Sequence, residues 1–283
     1  MCRFRVPTVR KTLLDIALHG ATIDVPDGFV PSGAPEPPRA ILQHMPKVMH
    51  THAVKAWRKH RGIIIPWDAL SAEEKAKIHF SGCHWNMEFR KPLGRWLIDC
   101  SNRLEGFNLN TPETKAASIA RLGQVQDHTI EEVFTCWCEY CERTGIPMSE
   151  CFIWKTDIEG AFPQFRWQPE AAKLMGMMIG EGLLYLHTSG NFGHTSSPSI
   201  WCIISNALLY MCVVMMIILG VLKKYVDDYT GFGSKDHARR DEATFHRCAK
   251  AFLGDDCLSE PKTVHPTQQT DVQGWECILQ KEL

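Results

Sequence analysis

The sequence has no excess charge of either sign. Its 31 lysines and arginines stand against 32 aspartates and glutamates, a net charge of −1. The average field attracts no polyanion, so any nucleic-acid binding falls to a local basic surface. The residues after Met1 lack the basic, apolar and small-residue regions of a secretory signal. A disulfide-stapled secreted fold is therefore not expected, and the 12 cysteines read as free thiols of an intracellular chain, cytoplasmic or nuclear. Zinc-ligand pairs are lacking as well. Cys136, Cys138 and Cys141 (CWCEYC) have no second pair at finger-like spacing, and Cys83-His84 stands equally alone. The CWCEYC stretch carries a helical period through Val133, Phe134, Trp137, Cys138 and Cys141, so a buried helix face competes with a metal site there. No internal repeat organises the chain.

What is present is enough bulk for a core. A chain of 283 residues, 45% hydrophobic and 22% charged, suits one large domain or two subdomains. Residues 1–45, rich in Pro and Gly (VPDGFVPSGAPEPP), read as a loosely structured lead-in. Leu42 to Gly62 reads as a basic helix ended by glycine, its cations either solvated or facing phosphate. Strands and turns follow from Ile78 to Asn110. Thr111-Pro112-Glu113 then opens a helix, with Thr as N-cap and Pro at the first position, and helical pattern runs to Arg143 in one or two pieces. From Cys151 the expected order is strand (151–158), helix (169–179), strand (182–187), long apolar helix from Pro198, hairpin at 225–229, amphipathic helix (234–253) and closing strand (270–279). Antiparallel strands backed by helices on one face make an α+β layer. The apolar run Ile200 to Leu222 is long enough to span a bilayer. It reads equally as a buried helix passing into a buried strand, because periodicity does not separate the two.

Just after that run stands YVDDYTGFG, residues 225–233. Asp227 and Asp228 sit at the centre of a hairpin, and Asp157 ends the 151–158 strand about 70 residues earlier. If those strands are neighbours, three carboxylates converge. Such a cluster is strongly unfavourable without a counterion, so it implies bound cations. Two unrelated acidic turns are the plain alternative.

Other residues tip the balance. KTDIEGAF (155–162), NFGHTSSPS (191–199), YVDDY (225–229), SEPKT (259–263) and VQGWECIL (272–279) stand in the order of the motifs of reverse transcriptases. Upstream, FRKPLGRWLIDCSN (89–102) resembles the fingers hairpin of that family. The chain over roughly residues 40–280 resembles the retrotransposon branch, of gypsy or DIRS-like type. The resemblance implies a right-hand polymerase fold, with a fingers-like subdomain (46–150) and a palm (151–283) in which helices back an antiparallel sheet. It also implies an RNA-directed DNA polymerase that adds dNTPs to a primer 3′-end with two Mg²⁺ ions, or Mn²⁺, on an RNA template with a DNA or RNA primer.

Carried over position by position, Asp157, Asp227 and Asp228 match the metal-binding catalytic aspartates, with the Ile158 carbonyl near a metal. Phe162 falls at the steric gate against a ribose 2′-hydroxyl; plain core packing is its alternative. Arg95, with Arg90 or Lys91, falls where the fingers grip the triphosphate, as bidentate guanidinium contacts allow; solvated hairpin tips are the alternative. Phe192-Gly193 matches the motif beside the nascent base pair, where many retroviral members have glutamine before the glycine. Ser197 and Pro198 start the helix under the template. Lys262 matches a proton donor to pyrophosphate, or is a surface lysine. Gly274-Trp275 matches the primer-grip turn, or Trp275 is core.

Under this resemblance the apolar run is palm helix and strand rather than a membrane span. The sequence shows no thumb, connection or RNase H pattern, and no protease or integrase signature. The expectation is fingers and palm from a longer polyprotein or a decayed copy. A catalytically inactive relic or domesticated protein that binds RNA or DNA is the second reading, and a membrane-associated protein with a fortuitous acidic turn is the third.

Overall fold

The computed structural model describes residues 6–33, 46–88, 91–101, 108–180, 182–215 and 218–279. In chain order the first elements are α1 (Val6–His19), α2 (Pro46–Arg58), β1 (Gly62–Pro66), α3 (Ala72–Ala76), β2 (Gly82–Glu88), β3 (Lys91–Asp99), α4 (Pro112–Leu122), α5 (Ile130–Thr144) and β4 (Cys151–Asp157). They continue as α6 (Pro169–Lys173), β5 (Gly176–Met178), β6 (Leu183–His187), α7 (Ser196–Tyr210), β7 (Val221–Tyr225), β8 (Asp228–Ser234), α8 (Lys235–Leu253), β9 (Val264–Thr267), β10 (Gln269–Val272) and β11 (Trp275–Ile278). The fold is mixed α+β, and all its sheet pairings between these strands are antiparallel.

The chain divides into two compact units, each built from separated segments. One comprises residues 1–124 and 162–200, the other residues 125–161 and 201–283. In the first unit a three-stranded sheet runs in the order β1-β6-β5, and β2 pairs with β3 as a separate hairpin. Ala53 of α2 packs against Met177, Ile179 and Tyr185, while Ile78 and Phe80 pack against Leu184 and Leu186. Thr111 caps α4 by accepting from the Thr114 N–H, with Pro112 at the first position, as the sequence leads one to expect.

The second unit holds the four-stranded sheet β7-β8-β4-β9 and the hairpin β10-β11. Alternation along β4 sends its side chains to two different partners. Ile153 and its cross-strand neighbour Phe232 pack with Val133, Trp137 and Tyr140 of α5 and with Val272 and Cys277. The Trp137 and Phe232 rings stack at 4.7 Å. Trp154 and Tyr229 turn the other way and meet Phe245 of α8, at 5.5 and 4.6 Å between ring centroids. Helices thus cover both faces of this sheet, where the sequence suggested one.

Several local expectations are corrected. Residues 6–19 form a helix inside the supposed lead-in, because after Pro7 the run to His19 holds no proline or glycine. The helix from Pro169 stops at Lys173, since residues 176–178 hydrogen-bond to β6 instead, Met178 opposite Leu184; sheet pairing overrides a weak propensity. The closing strand is a hairpin, because Gln273 and Gly274 both take positive φ (51° and 83°), the backbone of a type I′ turn. The buried stripe of α5 is Val133, Trp137 and Tyr140, while Phe134 and Cys138 are exposed. Phe252 is likewise exposed, at the end of α8.

The apolar run behaves as helix and then strand. α7 continues through a π-helical turn, Met211–Met215, and β7 follows. Ser196–Met215 is long and apolar enough to cross a membrane, yet half of its most apolar stretch is buried inside the protein. Ile200, Trp201, Ile204, Leu208 and Cys212 are among its buried side chains.

Candidate metal centre

Three chain segments of the second unit build this site. β4 is rich in β-branched and aromatic residues and almost wholly buried, as a central strand should be. It delivers Asp157 at its C-terminal end. β7 and β8 pair from Val221↔Phe232 to Tyr225↔Asp228, which leaves Val226-Asp227 as a two-residue turn. Asp157 lies directly opposite Asp228 in the β4–β8 ladder, and residues directly opposite share a face. The ligand oxygens of Asp157, Asp227 and Asp228 consequently all lie within 4.8 Å of one another.

The turn is held from two sides. Val226 has φ of 53°, a costly backbone for a β-branched residue. Its carbonyl accepts from the Trp201 indole N–H at 2.9 Å. The Asp227 carbonyl accepts from the Ile158 N–H at 3.0 Å, which ties the turn to the residue after Asp157. Below it the Tyr229 hydroxyl, fully buried, donates to the Ser205 carbonyl at 3.0 Å. Lys224, also fully buried, donates to Asp127 at 2.5 Å and to the Gln126 carbonyl at 3.4 Å.

Lys262 Nζ lies 2.9 Å from Asp157 Oδ2, with the lysine half-exposed and the aspartate buried. Burial works against the lysine's charge, but Asp157, through its hydrogen bond and charge, with Asp227 and Asp228, holds the pKa above the ordinary lysine value. Asp228 is pushed up to about 6, first by burial and then by Asp157 and Asp227, against the pull of Lys155 and Lys262. Lys262 in contact and Lys155 farther off do not stop burial and the neighbouring aspartates from raising the Asp228 pKa. The donor set is all hard oxygen, which fits a divalent cation such as Mg²⁺ or Mn²⁺. The cluster can therefore chelate such an ion, and among the described residues it is the one group of three or more acidic, histidine or cysteine side chains so placed.

This electrostatics makes a pH-dependent prediction. With its folded pKa raised from 3.8 to about 6, Asp228 contributes stability that is full below about pH 4 and is lost as pH rises through about 6. A bound cation takes the place of the proton and restores it. Mg²⁺ is expected to raise the thermal midpoint more at about pH 7.5 than at about pH 5. An equal shift at both would mean that the cation binds elsewhere.

The other residues singled out from the sequence fall as follows. Ile158 is fully buried beside the cluster, and Gly274 and Trp275 lie at the β10–β11 turn, with Trp275 62% exposed; the core alternative for Trp275 is thereby removed. In the first unit the Phe162 ring, buried, meets the half-exposed Phe192 edge-on at 4.6 Å. Gly193 has φ of 117°, and a Cβ there would collide with the Ile98 carbonyl, so the close approach that glycine permits at this position is to β3. Ser197 is buried in the first turn of α7 and Pro198 is exposed. Lys91 and Arg95 stand on β3, opposite Glu88 and Asn86, and Arg90 lies outside the described residues. Trp201, Lys155 and the Asp127–Lys224 pair were not foreseen. Each acts through a fold contact, and no local pattern marks a lysine or a tryptophan for that. No protein-family model matches the chain, and no curated protein matches it either.

Proposed function

We propose that the chain is the fingers and palm of a retroelement RNA-directed DNA polymerase. The observation that carries the reading is the convergence of Asp157 with the Asp227-Asp228 turn, in a sequence whose motifs stand in reverse-transcriptase order. Asp157, Asp227 and Asp228 would hold one or two Mg²⁺ or Mn²⁺ ions. Bound there, the metal would supply Lewis-acid stabilisation to the attacking 3′-oxygen and to the leaving pyrophosphate.

The chain's own side chains do the rest. Lys262, its pKa raised beside Asp157, would give a proton from Nζ to the departing pyrophosphate. The Ile158 N–H fixes the turn by donating to the Asp227 carbonyl, and the Ile158 carbonyl would serve as a further metal ligand. The Phe162 ring, pressed by Phe192, acts as a wall that a ribose 2′-hydroxyl does not pass. Arg95, with Arg90 or Lys91, grips the triphosphate. Phe192 and Gly193 line the nascent pair, and Ser197 and Pro198 support the template. The exposed Trp275 ring, on its Gly274 turn, bears on the primer.

The test is primer extension. Purified protein with a primed RNA template, dNTPs and Mg²⁺ is expected to lengthen the primer, and EDTA is expected to stop it. An Asp227→Asn preparation controls for a contaminating polymerase. Extension by that variant, or none by the parent at any salt, would overturn the reading; binding of RNA without extension would favour the inactive relic.

A further inference from the structure

The two helices that cover the sheet β7-β8-β4-β9 carry opposite charges on their outer faces. On α5, Glu131, Glu132, Glu139 and Glu142 are exposed. On α8, Arg239, Arg240, Arg247 and Lys250 are exposed. At about 100° per residue, each set falls within an arc of about 100°. The arc on α5 lies away from the buried Val133, Trp137 and Tyr140, and the arc on α8 away from the buried Phe245 and Cys248. Arg143 is the only base on α5, at the edge of its acidic face, and Asp236 is the only exposed acid on α8.

The spacing on the two helices is the same. Glu131, Glu132, Glu139 and Glu142 repeat the intervals of Arg239, Arg240, Arg247 and Lys250. Laid side by side, parallel or antiparallel, two such helices bring each carboxylate to the height of a cation. The middle of each face holds a short side chain, Thr135 on α5 and Ala243 on α8, both exposed, so the backbones can approach. Within one molecule the match is not used. Among the described residues Glu139, Glu142, Arg239, Arg240 and Lys250 have no ion-pair partner. α5 and α8 do touch, through the Tyr140 hydroxyl and His237 Nδ1 at 2.8 Å, but both residues lie over about 100° round from the middle of the charged arcs.

We propose that the acidic face of α5 in one copy of the chain docks on the basic face of α8 in the next. Solvation alone accounts for one charged helix face. It does not call for the same pattern in opposite sign on the far side of one sheet, in a chain whose total charge is −1. A polyanion would occupy the α8 face and leave the acidic pattern on α5 without a role. Because two different surfaces meet, the contact is heterologous, each pair keeps a free face at either end, and association runs head to tail. One helix pair is a small patch, so the contact is weak and transient. Its strength lies in exposed charges, which salt screens. It needs neither the metal nor the polymerase reading.

The experiment is sedimentation velocity of nuclease-treated protein over a concentration series, at about 0.02 M and about 0.5 M salt, where the screening length falls from about 20 Å to about 4 Å. At low salt the parent is expected to pass beyond a dimer as concentration rises, and at high salt to sediment as a monomer. Glu139→Lys/Glu142→Lys and Arg239→Glu/Arg240→Glu are each expected to associate about tenfold more weakly. The new charges have the sign that the nearer helix end favours, so both variants should keep the parent's thermal midpoint within a few degrees. Each variant retains the face that the other has lost. An equimolar mixture is therefore expected to regain the parent's affinity and to stop at the 1:1 pair. A parent that stays monomeric at low salt, association that survives high salt, variants that associate as the parent does, or a mixture no tighter than its components would each overturn the proposal. Heparin bound at the α8 face by a parent that does not self-associate would do so as well, and would make a polyanion the occupant.

Discussion

Replacing Asp157 by asparagine is expected to cut metal-dependent primer extension by about 10³-fold or more, while the metal-free protein stays at least as stable as the parent. Asp157 is the buried member of the cluster and faces Asp228 directly across the ladder. An amide keeps its size but takes away a charged ligand, and loss of several kcal/mol of charge stabilisation corresponds to roughly that factor in rate. The stability expectation runs the other way. Asp157 is the leading charge that raises the Asp228 pKa, so its removal relieves repulsion above about pH 6. Lys262 loses its partner but is half-exposed, so water replaces the carboxylate at little cost. Calorimetric titration with Mn²⁺, thermal unfolding and extension assays on one preparation check all three. A variant that unfolds would place the residue in the fold's support, and one that extends normally would remove it from metal binding.

Asp127→Ala is expected to cost about 3–5 kcal/mol of stability, the usual result of leaving one buried charge without its partner. Lys224 is 1% exposed and its ammonium would keep only the Gln126 carbonyl at 3.4 Å. A domain has only about 5–15 kcal/mol to lose. β7 is an edge strand, and the segment at 126–128 covers it, His128 N–H donating to the Lys224 carbonyl. Because β7 leads into the Val226-Asp227 turn, the loss should also weaken Mn²⁺ binding. Asp127→Leu with Lys224→Met is expected to recover most of the stability, since a buried pair exchanged for apolar groups of similar size is often neutral. Urea unfolding decides the matter: a single-variant cost below about 1 kcal/mol would mean that water reaches Lys224.

Much of the local structure was legible because it depends on a few adjacent residues. Thr111-Pro112 opens α4, and Gly145 ends α5 in the left-handed region. In each case the signal is a side chain or a missing Cβ acting on its own backbone. Legibility failed where a second element decides. Gly176–Met178 looks helical until β6 offers hydrogen bonds. On α5, Phe134 and Tyr140 trade places as exposed and buried, because Phe232 and the β10–β11 hairpin set which stripe is covered. Lys224 ends the apolar run with a charge, and only Asp127, brought alongside from 97 residues away, makes its burial tolerable.

The same division runs through the metal centre. By itself the sequence determined a buried strand ending in Asp157, an acidic hairpin at 225–229 and the apolar run that leads to it, since alternation and turn residues are local properties of the chain. The tertiary structure alone decided that Asp157 stands opposite Asp228, that Trp201 and Ile158 hold the two turn carbonyls, and that Lys262 meets Asp157. Those contacts join residues 25 to 105 apart in sequence. They exist because burying both faces of the β4–β8 ladder under α5 and α8 leaves one register for the strands, and a slip by one residue would turn the aspartate away.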